Sequence, residues 1–189
     1  MILVALLAVA QATAPDPRLE RLDPAARPPV VQLVDSARAM GLPTESLVQR
    51  ALEGAAKGAP AASIVAAVRR LAADLGRARD ALGPDAVPAE LDAGAAALRA
   101  GAPPAALTTL RRVRRGSLIV PLAVLADLVG SGVPADSAAA AVLALAPSIR
   151  DVELMEFRRA VERDIALGAP PATAVRVNAT ARTARPGRP

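Results

Sequence analysis

The strongest constraint on the fold of this chain is a Gly-x-Pro triplet that recurs between Ala- and Leu-rich segments. Glycine just beyond a helix end adopts the left-handed conformation without steric cost, and proline in the first turn of the next helix needs no backbone N–H. Each triplet is therefore typical of a short corner between two helices that pack as an αα-hairpin. The copies are Gly41-Leu42-Pro43, Gly58-Ala59-Pro60, Gly101-Ala102-Pro103, Gly132-Val133-Pro134 and Gly168-Ala169-Pro170.

The corners recur at irregular spacing, whereas a regular solenoid repeats at a fixed period. Residues 52–63 nevertheless match residues 125–136 in pattern, since both windows run from a helix end through a corner into the next helix. We therefore predict an all-α fold of helical hairpins, packed as a bundle or as a short, irregular helical-repeat stack.

Hydrophobic periodicity supports helices between the corners. Ile64, Val68, Leu71 and Leu75 recur at helical spacing and form one apolar stripe. Strand signals are weak, because runs of Val and Ile are short and the hairpin dipeptide Asn-Gly does not occur. The predicted helices cover residues 30–40, 44–57, 61–82, 88–100, 103–114, 117–130, 134–146, 148–167 and 171–182.

The N-terminus has the pattern of an export signal. Residues 1–14 begin with an apolar run too short to span a bilayer and end in small residues that suit cleavage, although no Lys or Arg precedes the run. The alternative is a buried first helix. Because prolines crowd residues 15–29, we predict a solvated linker there, then a single helical domain over residues 30–182. Residues 183–189, rich in Arg and Pro, predict a disordered tail.

Composition excludes many kinds of active site. The chain has no His, Cys, Trp or Tyr and one Phe, so His-based triads, Cys- or His-ligated metals and aromatic stacking platforms are ruled out. Carboxylates such as Glu153, Glu156 and Glu162 could in principle do acid–base chemistry. Arginines at salt-bridging spacing on the same segment favour a solvated charged face instead. We predict a protein without enzymatic activity, cofactor or metal.

Positive charge is carried almost entirely by arginine. The formal net charge is +5, and two segments concentrate it: residues 111–115 and the C-terminal tail. These arginines could contact an anionic polymer or a membrane surface, or they could simply stabilise a helix C-terminus and solvate a tail. The candidate anion contacts are Arg111, Arg112, Arg114, Arg115, Arg182, Arg185 and Arg188.

One local resemblance adds to this interpretation. The stretch from Gly41-Leu42-Pro43 through Gly58-Ala59-Pro60 to Arg69 resembles the hairpin of a loosely defined set of exported bacterial proteins of unknown function. The resemblance covers residues 34–75. It implies export and an all-helical fold, and it brings no activity and no site residues.

Together these features predict an exported bacterial protein, periplasmic or secreted, that acts as a binding or scaffold module. Its partner would be another envelope protein, contacted through exposed faces of the hairpins, because helical repeats present such surfaces. The alternative is an electrostatic binder of an anionic polymer or membrane surface through Arg111–Arg115 and the C-terminal arginines. We expect neither a nucleic-acid ligand nor a transmembrane segment.

Overall fold

Every regular element is helical in residues 16–184, the part of the chain that the computed structural model describes. The predicted all-α fold is therefore confirmed. A short 3-10 helix (Pro17–Arg21) precedes the α-helices. These are α1 (Arg27–Ala39), α2 (Glu45–Ala56), α3 (Ala61–Leu82), α4 (Pro88–Ala100), α5 (Pro104–Val113), α6 (Ile119–Gly130), α7 (Ala135–Leu145), α8 (Asp151–Ala166) and α9 (Pro171–Thr183). The predicted signal segment lies outside the described residues.

The Gly-x-Pro corners share one hydrogen-bonding arrangement. Their glycines have positive φ, from +66° at Gly58 to +110° at Gly101. At each corner the residue after the glycine donates its amide to the carbonyl five residues earlier, as Val133 does to Leu128 over 3.1 Å. This is the Schellman arrangement, which satisfies the last carbonyls of the helix and reverses the chain. The recurrence in the sequence thus reflects a repeated local structure.

At four of these corners the proline lies just before the next helix and not in its first turn. Pro60, Pro103, Pro134 and Pro170 are the N-cap residues of the next helices, in extended conformation and not in the first turn. Their carbonyls accept the first helical amides, as in the 3.1 Å bond from Ile64 to Pro60. The N-cap suits proline because its own N–H is not used there, while its carbonyl is.

The helices pack as two adjoining rows. In one row α4 contacts α6 and α6 contacts α8, and in the other row α3, α5, α7 and α9 follow one another. Contacts of α3 with α4, α6 with α7 and α8 with α9 join the rows. Successive hairpins therefore stack on one another, although the corners that connect them are unevenly spaced in the sequence.

One contiguous cluster of buried side chains runs between the rows. It consists of Leu, Val, Ile and Ala, with Phe157 as its single aromatic residue. Alanines at contact positions let helix axes approach closely, but each buries little apolar area. The larger side chains, such as Leu75, Leu125 and Leu154, therefore supply most of the hydrophobic stabilisation.

The segment predicted as a solvated linker, residues 15–29, is instead packed where the structure describes it. Leu19, Leu22 and Ala26 are each at most 2% exposed. Pro17, Pro28 and Pro29 do not prevent helix formation, because they lie in the first turns of the 3-10 helix and of α1, where a missing N–H is harmless. Such a run of prolines is therefore compatible with helix starts as well as with a linker.

An ion pair fastens this N-terminal segment to the hairpins. Arg18 Nη2 lies 2.6 Å from Glu45 Oε2 at the start of α2. Hydrogen bonds from Arg18 and then Gln49 lower the pKa of Glu45 to about 2. Both side chains are solvent-exposed, so water and salt weaken the pair, and the burial of Leu19 and Leu22 supplies more of the stabilisation.

Two helical glycines differ in the space around them, and this difference gives a matched pair of substitutions. A Cβ at Gly54 would lie 2.9 Å from Cγ1 of buried Ile64, whereas a Cβ at Gly76 would meet nothing within 4 Å. We expect Gly54→Ala to lower the free energy of unfolding by about 1–3 kcal/mol through overpacking of α2 against α3. Gly76→Ala should raise it by about 0.5–1 kcal/mol, because alanine loses less backbone entropy than glycine.

Urea denaturation followed by circular dichroism measures both effects. If both alanine variants were stabilised equally, α2 and α3 could not approach each other as closely as the structure shows.

Candidate functional site

The four arginines of residues 111–115, at the end of α5, differ in their contacts. Two are paired within the molecule and two are exposed. Arg111 forms an ion pair with Glu90 of α4. Arg114 lies 2.5 Å from Asp151 of α8 and also donates to the carbonyls of Ala146 and Ile149. These two guanidinium groups hold α5 to its neighbours, so they are poorly placed to bind an external anion.

Glu90 is the buried centre of this network. Its carboxylate is 4% exposed and accepts a 2.8 Å hydrogen bond from the amide of Leu118, just before α6. Burial raises the pKa of Glu90, but hydrogen bonds from Leu118, Arg111 and Val87 together hold it below its ordinary value. Glu90 therefore stays ionised and joins α4, α5 and the start of α6. No local pattern in the sequence indicates this role of Glu90, since its partners are distant in the chain.

The remaining arginines singled out in the sequence do not form a common site in the described part of the chain. Arg112 and Arg115 are exposed, and Arg112 donates only to Thr109 over 3.3 Å. Arg182 lies on α9, with its guanidinium 5.5 Å from the centre of the Phe157 ring. Arg185 and Arg188 lie outside the described residues. The anion-binding role of these arginines stays a prediction.

An apolar groove runs along the surface between α7 and α9. It encloses about 620 Å³. Its walls are mostly small side chains with one arginine, Arg176. The alanines lining it are Ala140, Ala141, Ala144, Ala172 and Ala179. We call it the alanine groove. Its size falls in the range of ligand-binding clefts, about 300–1,000 Å³, and its small side chains allow close approach of another backbone.

A second cavity, of about 630 Å³, lies between α2, α3 and α4. We call it the arginine trough, because its polar lining is dominated by Arg50, Arg70, Arg77 and Arg99. Sequence analysis did not single out these arginines. They come from three separate helices, so no local run of positive charge marks them.

Two of the three carboxylates considered for acid–base chemistry form ion pairs, and the third, Glu156, is exposed. Glu153 Oε2 is 3.2 Å from Arg150 Nε, and Glu162 Oε1 is 3.7 Å from Arg158 Nη1. Among the described residues, acidic side chains nowhere gather in a group of three or more that could hold a metal ion. Within the same residues, no helix has both the length and the apolar character needed to cross a bilayer.

Comparison with known proteins indicates no functional site, so the proposals below rest on the alanine groove and the arginine trough. No family model, characterised protein or solved structure matches the chain.

Proposed function

We propose that this protein is an exported, non-enzymatic binding or scaffold protein that contacts another protein through an exposed face of its helical hairpins. The alanine groove between α7 and α9 is the observation that supports this proposal. It offers an elongated apolar surface that an apolar helix face of a partner could cover, in the helix-in-groove mode of recognition. The export part rests on the signal-like pattern of residues 1–14.

The geometry of the groove favours a protein over a small ligand. Its alanines lie on two neighbouring helices, and Ala140, Ala144 and Ala172 are exposed to solvent. Its polar side chains are four hydroxyls and one guanidinium, and they are spread along α9 and onto α7: Ser137, Thr173, Arg176, Thr180 and Thr183. Because they do not gather at one point, a small ligand would find no cluster of them to fix its orientation. A partner helix needs few polar anchors, because its own backbone hydrogen bonds are already satisfied.

The alternative, an electrostatic binder that uses residues 111–115 and the C-terminal arginines, has less structural support. Arg111 and Arg114 are already paired within the molecule. Binding through the remaining arginines would fall steeply with salt, whereas apolar binding in the alanine groove would persist.

Crosslinking and affinity purification from the native host test the proposal. We expect a discrete protein partner to be captured with the native chain and to be lost from the Ala144→Arg variant, since an arginine there fills the groove and adds a charge that binding would bury. The matched control is Ala56→Arg. Ala56 is also exposed near a helix C-terminus, but it lies outside the groove.

Capture of the same partner by both variants would contradict the groove as the contact surface. Loss of the partner at high salt from the native protein would favour the arginine-based alternative.

A further inference from the structure

We infer that the arginine trough between α2, α3 and α4 is a second binding site, and that it takes an acidic peptide segment of a protein. The arginine trough is separate from the alanine groove, because different helices line the two surfaces.

The charge of the trough favours an acidic ligand. The trough is lined by four arginines and a single carboxylate, Asp74. Asp74 is buried, and its Oδ1 lies 2.6 Å from Nη2 of Arg77, so this pair is satisfied within the molecule. Arg50 Nη1 lies 3.4 Å from Glu53, a longer and partly exposed contact. Arg70 and Arg99 have no acidic partner among the described residues. The trough therefore presents an excess of positive charge.

Three carboxylates lie beside the trough, and two of them are neutralised by other cations. Glu45 pairs with Arg18, and Glu53 lies 2.6 Å from Nζ of Lys57. Asp92 accepts a 2.5 Å hydrogen bond from Ser46, which is neutral, so Asp92 keeps its negative charge. Among the described residues Asp92 forms no ion pair with Arg70 or Arg99, so both guanidinium groups can pair with a carboxylate from outside.

The shape of the trough favours a peptide over a small anion. The trough has a volume of about 630 Å³, and apolar side chains that include Leu71 and Leu98 line it beside the arginines. Glu45, Glu53 and Asp92 line the adjoining cavity of about 380 Å³, so we expect the acidic segment in the trough and not in that cavity. A surface that combines arginines with apolar side chains suits a peptide that carries both carboxylates and apolar groups. A compact phosphate would use only part of it.

The positive charges of the trough are all carried by arginine, which suits recognition of carboxylates. Its planar guanidinium forms paired, charge-assisted hydrogen bonds with carboxylates, whereas lysine offers a point charge. The trough contains no lysine. The arginines lie on three different helices and come together only in the folded protein. Recognition of the peptide would therefore depend on the packed hairpins and not on a flexible tail.

The test is direct binding of a short fluorescent peptide of alternating Glu and Ala to the purified full chain, measured by anisotropy. We expect the Arg70→Gln/Arg99→Gln double variant to bind it about tenfold or more weakly than the native protein. The control, Arg159→Gln/Arg163→Gln, removes the same charge from exposed positions on α8 and should bind almost normally. The same peptide with Gln in place of Glu should bind much more weakly to the native protein.

Three results would overturn the inference. The first is equal weakening in both double variants, which would indicate nonspecific attraction to net charge. The second is absent binding, or equal binding of the Glu and Gln peptides. The third is tighter, Arg70- and Arg99-dependent binding of inorganic pyrophosphate, which would make phosphate the ligand. The assay uses no natural partner, so its failure leaves the crosslinking test of the alanine groove unaffected.

Discussion

Replacing Phe157 with alanine is expected to lower the free energy of unfolding by about 3–5 kcal/mol, the range typical of truncating a buried aromatic side chain. Phe157 is fully buried on α8, in the cluster between the two rows. It is the only aromatic residue in a core of aliphatic side chains, so nothing of similar volume is nearby to fill the cavity. The guanidinium of Arg182 over the ring would also lose its cation–π contact.

Two controls separate this effect from a general sensitivity of the last hairpin. Phe157→Leu keeps most of the volume and should cost about 1–2 kcal/mol. Val177→Ala truncates a side chain that is 55% exposed on α9 and should change stability by less than about 0.5 kcal/mol. Urea denaturation followed by circular dichroism is the suitable measurement, because the chain has no Trp or Tyr to report by fluorescence. An effect of Phe157→Ala no larger than that of Val177→Ala would show that α8 is not packed as described.

Glu90→Ala is expected to destabilise the protein by about 3 kcal/mol, because removing one partner of a buried ion pair leaves the other without its counter-charge. The Leu118 amide would also lose its acceptor in a buried position. We place the effect at the lower end of the known range, since the Arg111 side chain is 32% exposed and can regain water. Glu153→Gln, in an exposed pair with Arg150, should cost well under 1 kcal/mol and is the matched control.

The ion pair between Glu90 and Arg111 also predicts how the free energy of unfolding changes at acid pH. The pKa of Glu90 is lower in the folded protein than its ordinary value of 4.5. Its ionised form therefore stabilises the fold above that value, and this stabilisation is lost as pH falls through the lowered folded pKa. The native protein should lose more stability than Glu90→Gln between neutral and strongly acidic pH. Parallel loss in both proteins would contradict the proposed role of the carboxylate.

The sequence predicts the helices well where their limits depend on local chemistry. The predicted segment 61–82 coincides with α3, and 88–100 coincides with α4. Pro60 and Gly83, and then Val87 and Gly101, bound these helices through hydrogen bonds that reach only a few residues along the chain. Such signals are complete within a short window, so they can be recognised without knowing the rest of the fold.

The predictions from sequence were wrong where a local pattern is compatible with two different structures. The prolines of residues 15–29 suit either a solvated linker or the starts of helices, and burial of Leu19 and Leu22 decided for the second. Similarly, Arg111 and Arg114 could have faced solvent. Their partners, Glu90 and Asp151, are distant in the sequence, so only packing brings the charges together.

The sequence by itself therefore determined the all-α fold, the corners and the restriction of chemistry that follows from lacking His and Cys, because these depend on residue type and short-range geometry. Tertiary structure alone decided which charges of the described residues are paired within the molecule and which are not. Arg50, Arg70 and Arg99 become one trough because α2, α3 and α4 pack together, and the alanine groove exists only where α7 lies against α9. Both surfaces are products of long-range contacts, which no short window of sequence encodes.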